Sequence, residues 1–95
     1  MFAINGYNVV AMIPIFRAGR IDAYLITATG KDNQSVTAFI NKPDDTSWYW
    51  AHYFMGDIYG TDHLTVALKE MYVRASMHII DWKQLEEEVK SISVI

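Results

Sequence analysis

Residues 48–72, "WYWAHYFMGDIYGTDHLTVALKEMY", change period partway along. From Trp48 to Met55 the chain is dense in rings: two tryptophans, two tyrosines and a phenylalanine. A strand with one buried face needs an apolar residue only at every second position. This stretch has large rings at both parities. Trp48, Trp50, His52 and Phe54 share one, and Tyr49, Ala51, Tyr53 and Met55 share the other. "GDIYG" (56–60) breaks the strand. Apolar residues then fall at Leu64, Ala67, Leu68, Met71, Tyr72 and Ala75, the i, i+3, i+4, i+7 pattern of one helix face. A helix over 62–76 follows, with Thr61 or Asp62 as the N-cap that accepts from unpaired backbone N–H groups.

Upstream lie three more strand patterns. "YNVVAMIPIF" (7–16) is apolar, β-branched and uncharged. Pro14 within it cannot donate to a ladder, which predicts an edge or a bulge there. "RAGR" (17–20) turns into "IDAYLITAT" (21–29), and "GKDNQ" (30–34) turns into "SVTAFIN" (35–41). "KPDDTS" (42–47) then leads to the aromatic strand, with Pro43 set for a turn position. Strands joined by such short loops form antiparallel meanders.

Downstream, Asp81 stands three residues before Gln84, a capping-box spacing, with Ile80 and Leu85 placed as a hydrophobic staple. Trp82, Leu85, Val89 and Ile92 make a narrow apolar stripe for a terminal helix. "MHII" (77–80) reads as a connector or a short added strand. The expected fold is α+β: a four-stranded antiparallel meander followed by two helices packed on it, a two-layer sandwich in one domain of 95 residues.

Composition narrows the function classes. Hydrophobic residues are 52% and charged residues 20%, as in folded globular chains. A chain this short leaves apolar surface exposed, which favours self-association or a partner. The absence of cysteine excludes disulfides, thiolate zinc sites and cysteine nucleophiles. No apolar run reaches the ~18 residues of a spanning helix, and no signal-peptide pattern opens the chain. The expected location is cytoplasmic, with no membrane contact. The net charge is −3. Residues 1–40 carry three basic and two acidic residues, and residues 41–95 carry five basic and nine acidic. Such a balance does not suit phosphate binding.

No catalytic pattern emerges. His52, His63 and His78 lack helical metal-ligand spacing. Ser35, Ser47 and Ser76 lack a nucleophile-elbow context. The five glycines are isolated turn residues. Neither a metal nor a cofactor is expected, and the chain reads as a non-enzyme.

The aromatic strand admits three readings. Both ring sets can be structural, one under the first helix and one under the terminal helix. One set can instead face outward for a protein partner, since Trp and Tyr are enriched at binding hot spots. The rings could also stack on bases, but the order of elements and the glycine/aromatic motif of the common RNA-recognition fold are missing, as are basic neighbours. The candidate partner-binding set is therefore Trp48, Tyr49, Trp50 and Tyr53, rimmed by Asp44, Asp45 and Asp57. Acidic rims steer encounters with Lys/Arg-rich surfaces. A full strand holds the 44–45 and 57–62 carboxylates roughly 25 Å apart, so they share no chemistry.

The function this implies is a small protein-binding regulator or inhibitor that occupies a basic surface of nucleic-acid-binding machinery. Small acidic inhibitors encoded by phages and mobile elements, anti-CRISPR proteins among them, are similar in size, charge and lack of chemistry; no motif aligns. A nucleic-acid-binding module using the aromatic sheet, or a small ligand-binding domain, stands as the alternative. A homodimer through the C-terminal helix or a sheet edge is the second partner expectation.

Overall fold

The structure, a computed structural model, describes residues 1–30, 33–56 and 62–79. Five antiparallel strands run β1 (Ala3–Ile4), β2 (Tyr7–Arg17), β3 (Arg20–Thr29), β4 (Gln34–Ile40) and β5 (Tyr49–Met55), in that order across one sheet. A single described helix follows, α1 (His63–Ile79). The expected meander is present, with one strand more than predicted. The predicted terminal helix falls on residues 81–95, outside the described residues.

The extra strand, β1, is made by a two-residue turn. Asn5 and Gly6 both take positive φ, 52° and 81°, and Ile4 pairs with Tyr7. Asn-Gly is the preferred pair for this turn because both central residues must be left-handed. Ala18 and Gly19, at 52° and 74°, repeat the geometry between Arg17 and Arg20. β1 covers only Tyr7 and Asn8 of β2. Among the described residues most of β2 is thus the sheet's outer edge, where Pro14 sits without leaving a central ladder short of a donor. The register shifts twice along this strand, at Val9/Ala11 and Ile15/Phe16.

α1 starts where its cap predicts. Asp62 accepts from the Thr65 backbone N–H at 2.8 Å and from the Thr65 hydroxyl at 2.9 Å. These bonds hold the Asp62 carboxyl below its ordinary pKa. The helix continues beyond the predicted residue 76. Met77 to Ile79 are its last residues rather than a connector or a strand, and His78 packs edge-on against Phe39.

Both faces of the sheet are buried, by different means. On one face Ile15, Ala23, Leu25 and Phe39 meet Met71 and Ala75 of α1. Hydroxyls are mixed into this layer. Thr37 donates to the Ala67 carbonyl at 2.7 Å, and Thr27 donates to Met71 Sδ at 3.3 Å. On the other face, Ile4, Val9, Ile26, Ala28, Val36, Ala38 and Ile40 form a second core. Phe2, Tyr7, Met12, Tyr24, Trp48 and Ala51 ring it. The sheet curls into a half-barrel, so that Tyr7 at the start of β2 reaches Trp48 and Tyr53 beside and within β5. Among the described residues α1 covers one face of the sheet and the sheet's own curl closes over the other; the second helix of the expected two-layer sandwich lies outside the described residues.

Candidate partner-binding surface

β5 pairs with β4 and is the last strand of the sheet among the described residues. Its ladder is not continuous. Ala38 pairs with Ala51, but the next residue, Phe39, pairs with Tyr49. Trp50 is the extra residue, with φ at 44°. This is a β-bulge, two residues opposed to one, and it resets the alternation of side chains.

The consequence is a regrouping of the rings. Tyr49 stacks on Phe39, with centroids 5.6 Å apart and planes 18° apart. Trp50 lies 5.5 Å from the same ring. Trp48 falls on the opposite face, 5.3 Å from Tyr7 and 6.2 Å from Tyr53. Strict parity places Trp48 with Trp50 and Tyr49 with Tyr53. The bulge exchanges Trp48 and Tyr49 between the two sets.

The helix-side group is tied to α1 by charge. The Arg74 guanidinium sits 4.1 Å over the Trp50 ring. Its Nε also donates to Glu70 Oε1 at 2.9 Å, and His52 Nδ1 stands 4.0 Å from the same oxygen. Met77 continues the stripe of Glu70 and Arg74 at helical spacing and is exposed. Tyr49 lies near Asp22. Burial first, and the Asp22 charge second, push its phenol above the ordinary tyrosine pKa.

The opposite group is built around Tyr7. Its hydroxyl donates to Gln34 Oε1. Its ring lies over Gly30, where a Cβ would stand against the ring carbons. Glycine at 30 is therefore what lets Tyr7 cross from β2 toward Trp48 and Tyr53. Tyr7 and Gly30 were not among the sequence candidates. The Asn5-Gly6 turn that delivers Tyr7 is a recognisable hairpin signal.

The predicted rim is divided. Asp45 is committed to its own turn, accepting from the backbone N–H groups of Asn41 at 2.9 Å and Lys42 at 3.4 Å. Asp44 is exposed, with φ at 62°. Asp57 lies outside the described residues. Tyr49, Trp50 and Tyr53 are 46%, 37% and 46% exposed, while Trp48 is half-buried. Among the described residues no group of three or more His, Asp or Glu side chains could hold a metal ion. No described helix is long and apolar enough to cross a membrane. Compared with known proteins, the chain matches no family model, no curated protein and no solved structure.

Proposed function

We propose that this is a small non-enzymatic regulator that works by covering a basic surface on a protein of nucleic-acid-binding machinery, as phage-encoded inhibitors of the anti-CRISPR kind do. The observation that supports this reading most is the exposure of Tyr49, Trp50 and Tyr53 on an end strand of the sheet. Large rings held on a rigid strand lose little entropy on binding and are frequent anchors of protein interfaces. The net charge of −3 and the exposed Asp44 favour a Lys/Arg-rich partner. A base-stacking role is disfavoured locally. Arg74, the cation seated on Trp50, already carries an ion pair with Glu70.

The test is capture of a protein complex with the tagged chain, with and without nuclease, followed by the same capture with Tyr49→Ala and Tyr53→Ala. The expected result is a stoichiometric protein complex that resists nuclease and is weakened by over ~2 kcal/mol in at least one variant. Retention on single-stranded nucleic acid with a steep salt slope, and no protein complex, would overturn the reading.

A further inference from the structure

We propose that Tyr7, Trp48 and Tyr53 form a three-ring site for one cationic side chain of the partner, a lysine or N-methylated lysine ammonium. This deepens the reading above and rests on it for the origin of the cation. The three rings are mutually adjacent and steeply inclined to one another. The three centroids are 5.3, 6.2 and 6.4 Å apart, and the planes are inclined at 62°, 66° and 60°. A cation seated against this group of rings lies within the ~6 Å over which a ring quadrupole attracts it.

Oxygen acceptors stand beside the rings. The Tyr7 hydroxyl and Gln34 Oε1 are hydrogen-bonded to each other. Tyr53 is close enough to raise the Tyr7 pKa, behind the larger effect of burial, so Tyr7 remains a neutral phenol. An ammonium that retains an N–H can donate to such oxygens, whereas a neutral apolar group cannot. Tyr53 is 46% exposed and brings the group to the solvent surface. Tyr7 is held in place by Gly30 and Gln34, so the site is organised before a ligand arrives.

The helix-side rings show the same chemistry already satisfied from within, because Arg74 occupies Trp50. Among the described residues no cation is packed on Tyr7, Trp48 or Tyr53. The acidic chain as a whole favours the approach of one.

The experiment is an NMR titration of the full chain with three small probes: Nα-acetyl trimethyl-lysine amide, the unmethylated lysine amide, and the neutral carbon isostere that carries a tert-butyl group. Saturable upfield shifts of the N-methyl protons are expected, with shifts of the Tyr7, Trp48 and Tyr53 ring protons and little response to the isostere. Tyr53→Ala should weaken binding by about three- to thirtyfold. Tyr53→Phe should retain most of it, and Tyr72→Ala, on the exposed side of α1, should leave it unchanged. A thermal melt of each variant establishes that it is folded. Equal binding of the neutral isostere, an absence of saturable shifts, or shifts confined to Tyr49 and Trp50 would overturn the proposal. The titration contains no partner protein. A negative result therefore removes this site and leaves complex formation to be judged by its own capture experiment.

Discussion

The two ring groups separated by the bulge at Trp50 are built from neighbouring residues and are held in opposite ways. Phe39, Tyr49 and Trp50 are fixed from outside the sheet, by Arg74 and His78 of α1. Tyr7, Trp48 and Tyr53 are fixed by the sheet curling until its first long strand reaches its last. The first group completes its electrostatics within the chain. The second leaves ring faces and oxygens without a cation of their own among the described residues. One extra residue in a ladder thus separates an aromatic cluster that carries its own cation from one that carries none among the described residues.

The comparison can be broken most severely at Phe39. Its ring touches Tyr49, Trp50 and His78 and is nearly buried. Phe39→Ala should destabilise by about 3–5 kcal/mol in denaturant unfolding. It should leave the ring-proton shifts of Tyr7 and Trp48 near their parent values while the protein is folded. Large shifts at Tyr7 would show that the two groups are one.

Gly30→Ala attacks the second group alone. The added methyl meets the Tyr7 ring, and overpacking of this kind costs about 1–3 kcal/mol. Combining it with Tyr7→Ala removes the clash, so the double variant should lose less stability than the two single losses together. Strict additivity would mean that Tyr7 does not lie over Gly30.

Arg74→Met keeps most of the packing and removes the charge. A loss of about 0.5–1 kcal/mol is expected, with Trp50 emission shifted by its new surroundings. The Tyr7 group should not respond.

The smallest effect belongs to the start of α1, the element that carries Arg74. Asp62 has a carboxyl pKa lowered in the folded state. Its contribution is therefore present above the unfolded carboxylate value and lost as pH falls through the lower folded one. Asp62→Ala should flatten that acid limb of the stability profile without altering the neutral fold. An unchanged acid limb would contradict the cap.

Most of the architecture was legible because the hydrophobic period is a direct record of burial. The order and approximate bounds of β2 to β5 and the start of α1 follow from alternation, turn residues and the Asp62 cap. β1 escaped because two residues carry no period, although Asn5-Gly6 states the turn. The last turn of α1 escaped because "MHII" has β-branched residues and no polar partner face. His78 stays helical by packing on Phe39, a contact between distant parts of the chain. The grouping of the rings was not legible at all. Parity holds only in an unbroken ladder, and a bulge at tryptophan with positive φ has no glycine to announce it. For the same reason Trp48, Tyr49, Trp50 and Tyr53 were identified as a set but not divided correctly. The sequence marks Asp45 as a rim carboxylate but does not reveal that its oxygen also closes its own turn.

The division of the rings by the bulge is tested most directly by aromatic NOEs in a sample with assigned rings. Cross-peaks between Tyr7 and Trp48, and between Tyr49 and Phe39, are expected from centroid separations of 5.3 and 5.6 Å. Cross-peaks of Trp48 to Phe39 together with Tyr49 to Tyr7 would restore unbroken alternation and contradict the account.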